Sequence, residues 1–322
     1  MSTEKSAPLK PCLLLTPTRE SIDTTSREDW LKLRTKDITS TEIAALFSLS
    51  PYLTPFELWH RKKAGDVVEF TPNERMKWGT RLQDAIAAGL AEDQGWKVQK
   101  REQYERIPEK RLGASYDFTI VEGAEGTGLL EIKNVDPQVI RNEWIVDGDH
   151  VEAPPHIEMQ VQHQLLVSGL PYAYIGALVG GNRGVLIRRE PASKILASII
   201  ERTEEFWRSI DANEPPKPDF TKDAEFLRSL YQTVNPGSVV DLVNDNEFTI
   251  LAKEYAAAQA VLIDTEKRKK SIQAQILAKI GDAERAKGDG FNVSAGTVKA
   301  TTVPAYEREA YRGFRVTWKK ES

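Results

Sequence analysis

A change of rhythm at Gly95 constrains the fold of this chain more than any other feature. From about Pro72 to Gln94 apolar residues return at helical spacing, and Gly95 stops the run. Beyond it WKVQKREQYER (96–106), RLGASYDFTIV (111–121) and GLLEIKNV (128–135) alternate with a period of two, the spacing of strands. EGAEGTG supplies a turn between the last two. A helix is expected from about Pro155 to Ser168, ended by Gly169. Two further strands, AYIGALVG and GVLIRRE, meet at Gly-Gly-Asn-Arg, and a helix from about Pro191 to Asn213 follows. Interleaved strands and helices predict an α/β fold with a mixed central β-sheet flanked by helices.

Upstream, Arg27 to Ala64 reads as helical, broken at Ser50-Pro51. TSTEIAALF opens with a capping signature: Thr39 or Ser40 can cap, and Glu42 can reach back. Thr54-Pro55 opens a second helix, FELWHRKKAG, closed by Gly65. Downstream, residues 246–287 form a long amphipathic segment with Phe248, Leu251, Tyr255, Ala258 and Leu262 at alternating spacings of three and four. That is a short coiled-coil-like seam or a helix docked on the body. FNVSAGTVKATTV and GFRVTWKK predict a closing β-hairpin. The expected divisions are a flexible arm (1–25), a main domain (26–220), a linker (221–245) and a helix-plus-hairpin appendage (246–322).

The 322 residues carry a net charge of −4, which argues against wholesale coating of nucleic acid and leaves room for a locally basic channel. Arg61-Lys62-Lys63, Arg188-Arg189 and Lys267 to Lys270 are basic clusters that read as solvated surface. No apolar run approaches the roughly 18 residues that span a bilayer, so no membrane role is expected. The single cysteine, Cys12, can form no internal disulfide and cannot alone hold an iron–sulfur cluster. His150, His156 and His163 fit no standard zinc spacing. Trp59, Trp144 and Trp207 lie in amphipathic segments, where tryptophan is usually core.

GLLEIKNV contains an oddity. Glu131 and Lys133 share one face of what reads as a half-buried strand, while Ile132 points the other way. Asp117 lies on the preceding strand, and a turn centred near Ala124 sets it roughly opposite Glu131, so the two carboxylates converge. Adjacent carboxylates repel unless a cation lies between them, and oxygen ligands suit magnesium. Lys133 beside them can orient or deprotonate water or stabilise a developing phosphorane charge, which is what phosphodiester hydrolysis needs. The competing reading is a surface Glu131–Lys133 salt bridge with Asp117 a solvated acid near the turn. These three residues alone leave both readings open.

Asp117, Glu131 and Lys133 match the PD-(D/E)xK nuclease pattern. Trp30-Leu-Lys-Leu-Arg34, followed by Ile38-Thr39-Ser40-Thr41-Glu42, resembles the amino-terminal signature of the lambda-exonuclease, or YqaJ-type, phage recombinase nucleases. Trp78-Gly79 resembles their W-G helix start, and Gln160-Val161-Gln162 their Q-V-Q. The resemblance spans about residues 27–215. It implies that Asp117, Glu131 and the Ile132 carbonyl hold magnesium, with manganese able to substitute, and that Lys133 is the catalytic lysine. It implies that Gln160 braces the site, and that Arg34, Thr41 and Ser115 form a pocket for a 5′-phosphate. The activity implied is 5′-to-3′ degradation of one strand at double-stranded DNA ends. Also implied are a ring-shaped homotrimer, a single-strand annealing protein as partner, and a cytoplasmic setting in a bacterium or phage-infected host.

The chain departs from that pattern at Gln83, where the family carries an active-site glutamate. Gln83 shares a helix face with Ile86 and Leu90 and is expected to point toward the sheet; Asp84 is turned about 100° away. Glutamine accepts a hydrogen bond but brings no charge. Two alternatives therefore accompany the exonuclease reading: a weakened or inactive DNA-end-binding scaffold, and a structure-specific endonuclease built on the same core.

Overall fold

The computed structural model describes residues 17–24, 26–65, 67, 71–148, 150–302, 312–314 and 316. The chain divides into two units, Met1–Phe226 and Leu227–Ser322.

The first unit opens with β1 (Glu20–Asp23), α1 (Arg27–Lys36), β2 (Ile38–Thr39), α2 (Ile43–Leu46), α3 (Pro55–Ala64) and α4 (Glu74–Gln94). Local chemistry sets these ends. Ser26, Thr54 and Asn73 cap α1, α3 and α4 by accepting backbone N–H bonds, and Gly65 and Gly95 end α3 and α4 in the left-handed region at φ 66°. The capping box before α2 forms by half: Glu42 reaches back to the Thr39 amide at 2.9 Å, but no side chain caps the helix. Glu20–Asp23, which the sequence places in a loose arm, pairs antiparallel with a later strand. Cys12 lies outside the described residues.

Next come β3 (Lys97–Lys100), β4 (Gln103–Ile107), β5 (Leu112–Ala114), β6 (Phe118–Glu122) and β7 (Gly128–Val135). Here the sequence reading is corrected: the two long runs before β7 are each two strands, and the halves join different sheets. β3 and β6 enter a five-stranded sheet, while β4 and β5 enter a four-stranded one ordered β1-β4-β5-β2. Gly113 is required where the second run crosses, because a Cβ there would lie 1.9 Å from the Tyr104 hydroxyl. Period-two alternation marks a strand but not the sheet it joins.

α5 (Pro137–Glu143) and the small hairpin β8 (Ile145–Asp147) and β9 (His150–Glu152) follow, elements the sequence reading does not anticipate. α6 (Pro155–Ser168), β10 (Ala173–Val179), β11 (Arg183–Arg189), α7 (Ser193–Ala212) and α8 (Ala224–Leu230), which straddles the unit boundary, then appear in order. The main sheet runs β11-β10-β7-β6-β3, with β7 and β10 parallel and the other pairs antiparallel.

β7 is therefore central rather than half-buried. On one side Leu130 and Ile132 pack with Ile86 and Leu90 of α4. On the other, Leu129 joins a larger core that includes Val161 and Leu165 of α6 and Ile199 and Phe206 of α7. Trp59, Trp144 and Trp207 are buried in that core. Asp223, in the segment expected to be linker, is buried and accepts a 2.5 Å hydrogen bond from Thr54.

In the second unit, α9 (Asn246–Ile280) starts at an Asp245 cap and buries none of its side chains; Phe248, Leu251, Tyr255 and Leu262 are exposed. A hairpin does form, from β12 (Arg285–Gly288) and β13 (Phe291–Ser294). Its first strand is thus upstream of the predicted pair, and most of GFRVTWKK lies outside the described residues. Among the described residues, no helix is long and apolar enough to cross a membrane.

Candidate active site

The register of β6 and β7 decides the geometry. Phe118 pairs with Leu130 and Ile120 with Gly128, so the residue preceding β6, Asp117, falls opposite Glu131 as turn counting predicts. The ladder ends there. In its place the Ile132 amide donates to Asp117 Oδ2 at 2.8 Å. A strand residue sends its N–H and C=O out along the same edge, so the Ile132 carbonyl faces the Asp117 side as well.

Glu131 is buried and Lys133 half-buried, on the face toward α6. Lys133 Nζ donates to Glu131 Oε1 at 2.7 Å and to Gln160 Oε1 at 3.0 Å, while Gln160 Nε2 donates to Glu131 Oε1 at 2.6 Å. Gln164 Nε2 holds the other oxygen of Glu131 at 2.7 Å and also reaches the Ser115 carbonyl at 3.3 Å. Sequence reasoning missed Gln164. Its signal was the spacing: Gln160 and Gln164 are i and i+4, one face of one helix. From the opposite helix, the Gln83 side chain hydrogen-bonds the Asp117 carboxylate. Asp84 is exposed and paired with Lys100 at 2.9 Å, so it is no substitute.

These contacts do not balance the charge. Burial, then the neighbouring Glu131 charge, pushes the Asp117 carboxyl up to about 7, although Lys133, the Ile132 amide and Gln83 pull it down. Burial works against the Lys133 ammonium, but Glu131 and Asp117 outweigh it and hold lysine above its ordinary range. A surface salt bridge does not describe this cluster. Two converging carboxylates and a carbonyl on an open strand edge are hard oxygen donors short of positive charge, and a magnesium-sized cation fits them. Among the described residues no group of three or more His, Cys, Asp and Glu side chains is gathered for a metal ion. His163, for its part, is buried on α6 with Nε2 3.1 Å from the Gly113 carbonyl oxygen.

Arg34, Thr41 and Ser115 come together beside this cluster. Arg34 Nη2 donates to Thr41 Oγ1 at 3.0 Å and Thr39 Oγ1 at 3.2 Å, and its guanidinium lies 4.5 Å from the centre of the Trp30 ring. Trp30 Nε1 donates to Ser115 Oγ at 2.9 Å. Ser115 stands two residues before Asp117, so one short segment carries both the hydroxyl and the carboxylate. Of the basic clusters, Lys62 is not solvated: it is buried and ion-paired with Glu42. Arg188 pairs with Glu125 and Glu190, and Arg189 with Glu152 and Glu158.

The YqaJ-like viral recombinase domain family matches residues 29–171, a span that holds every one of these candidate residues. Residues 29–171 are thus similar to a YqaJ-like viral recombinase domain. The motifs from Trp30 to Gln162 that resembled that family lie inside the matched span. The uncharacterized protein YqaJ of Bacillus subtilis (strain 168) is 29% identical over 264 residues, 80% of each chain. Among solved structures, an alkaline exonuclease (LHK-Exo) from Laribacter hongkongensis aligns over 62% of this chain and 99% of its own, with 19% identity and a TM-score of 0.45. A phage-related exonuclease from Haemophilus somnus 129PT aligns over 59% and 88%, with 11% identity and a TM-score of 0.35. The mixed sheet is flanked by helices, with Asp117 just before β6 and Glu131 and Lys133 on the adjacent central strand β7.

Proposed function

We propose that this protein is a magnesium-dependent exodeoxyribonuclease that degrades the 5′-ended strand of linear duplex DNA. The observation that carries the reading is the convergence of Asp117 and Glu131 with Lys133 hydrogen-bonded beside them. Asp117, Glu131 and the Ile132 carbonyl would hold magnesium or manganese. When bound, the cation supplies Lewis-acid polarisation of the phosphodiester and makes water a better nucleophile at neutral pH.

The chain's own residues do the rest. Lys133, hydrogen-bonded beside Glu131, is placed to orient water or to donate to the phosphate oxygens where negative charge develops. Gln160 and Gln164 hold Glu131 by both oxygens and fix the direction of its charge. Arg34, with its planar fork of donors, and the hydroxyls of Thr41 and Ser115 grip the 5′-phosphate. By resemblance to the family, three copies encircle the duplex, and the 3′ tail passes to a single-strand annealing protein in the bacterial or infected-host cytoplasm.

Gln83 supports a second reading, a weakened nuclease or a binder of DNA ends. Its amide bonds Asp117 without adding charge, so any second cation lacks an anionic ligand there. One assay separates the readings: a linear duplex with one 5′-phosphorylated and one 5′-hydroxyl end, each strand labelled, digested with magnesium by the wild type and by Lys133→Ala. Progressive loss of the 5′-phosphorylated strand, abolished in the variant, is the expected result. End binding with no cleavage would replace it with the second reading, and a large gain on Gln83→Glu would identify what silenced the site.

A further inference from the structure

Beneath the Arg34 cradle lies an ion pair that the reaction chemistry does not use. Lys62 projects from α3 into the body, its side chain 4% exposed, and spends its three donors on three oxygens. They are the backbone carbonyls of Arg34 at 2.6 Å and Asp37 at 2.7 Å, and Glu42 Oε2 at 2.8 Å. The first two belong to the end of α1, where carbonyls lack helical partners. Lys62 therefore clamps the backbone of the very residue whose guanidinium forms the cradle.

Glu42 completes the arrangement from the other side. The oxygen that takes Lys62 also accepts from the Thr39 amide at 2.9 Å and the Thr39 hydroxyl at 2.8 Å, and Thr39 Oγ1 in turn accepts from Arg34 Nη2 at 3.2 Å. Among the described residues no carboxylate lies within ion-pair distance of Arg34. Without Lys62, Glu42 would be an uncompensated, partly buried anion close to that guanidinium and would compete for it. A buried ion pair is weak as a source of stability, since hydrophobic replacements often serve as well or better. Orientation is the role this one is built for.

We propose that Lys62 and Glu42 are positioning residues: they preset Arg34, Thr39 and Thr41 for a terminal phosphate of DNA and keep the charge of Arg34 free for it. The proposal rests on the phosphate-pocket reading above. It is tested by binding alone, using fluorescence anisotropy in EDTA of one duplex carrying either a 5′-phosphate or a 5′-hydroxyl. Wild type is compared with Lys62→Met and Glu42→Gln, each checked for folding by circular dichroism.

Wild type should prefer the phosphorylated duplex. Lys62→Met should cut that preference about tenfold, the scale of one charge-assisted hydrogen bond, while affinity for the hydroxyl duplex changes less than about twofold. Glu42→Gln, which keeps the size and one acceptor, should shift it the same way by less. Folded variants that keep the wild-type preference would overturn the positioning role and leave the pocket standing. A wild type with no preference would overturn the pocket, and the positioning role with it. If Lys62→Met does not fold, Glu42→Gln decides.

Discussion

Asp117 is where function and stability pull in opposite directions. Its carboxyl titrates near 7 in the metal-free fold, against an ordinary aspartate near 3.8, because burial and Glu131 both disfavour the charge. A raised acid pKa costs stability at pH above the unfolded value, and the cost is complete only above the folded one. Asp117→Asn should therefore stabilise the protein in EDTA at pH 8, by about 1–2 kcal/mol after allowing for relaxation, and the gain should vanish near pH 4. The same variant should lose stabilisation by magnesium. Urea melts at both pH values check it, and an unchanged or lower midpoint at pH 8 would contradict it. This residue was legible in sequence because strand pairing is a counting problem: one turn centre fixed Asp117 opposite Glu131. Lys62 was not legible, because its partners Arg34, Asp37 and Glu42 are distant in sequence and a lysine within Arg-Lys-Lys looks like surface.

At the scale of elements, α6 joins the site to the core. Its Gln160 and Gln164 face β7, and its His163 is buried against the Gly113 carbonyl of β5. Burial holds the His163 ring down to about 4, partly opposed by that carbonyl and by Glu42. A histidine whose folded pKa is depressed costs nothing above its unfolded value near 6.5. As pH falls from there toward 4 the unfolded chain takes up a proton that the fold refuses, and stability drops by up to a few kcal/mol. His163→Gln should flatten the fall in urea midpoint between pH 6.5 and 4.5; an acid limb as steep as wild type would refute it. The Thr54 opening and Gly65 end of α3 and the Gly95 end of α4 follow residue by residue from the sequence, whereas the Ser26 and Asn73 caps were not singled out there. The division of two period-two runs between two sheets does not, because a strand joins whichever partner tertiary packing brings alongside. α5 and the β8–β9 hairpin are too short for periodicity to show.

Across the whole molecule, every buried side chain among the described residues falls before residue 224, within the first unit. That unit holds the two sheets, the core and all candidate site residues, so a fragment ending at Phe226 should unfold cooperatively and keep hydrolytic activity within a few-fold of the full chain. Circular dichroism melts and a nuclease assay on the fragment test this; a fragment without a cooperative transition would show that α9 and the hairpin are part of the fold. The exposed stripe of α9 was legible as an amphipathic pattern, but periodicity alone does not say what such a stripe meets.

The central claim is that Asp117, Glu131 and Lys133 form a metal-dependent phosphodiesterase site. Release of acid-soluble nucleotides from a uniformly labelled linear duplex, titrated with magnesium, tests it most directly when wild type and Lys133→Met run side by side. The account predicts release that rises with magnesium in the wild type, disappears in EDTA and falls at least a hundredfold in the variant, the scale of losing one transition-state donor. Equal release by both proteins, or release unaffected by EDTA, would contradict it.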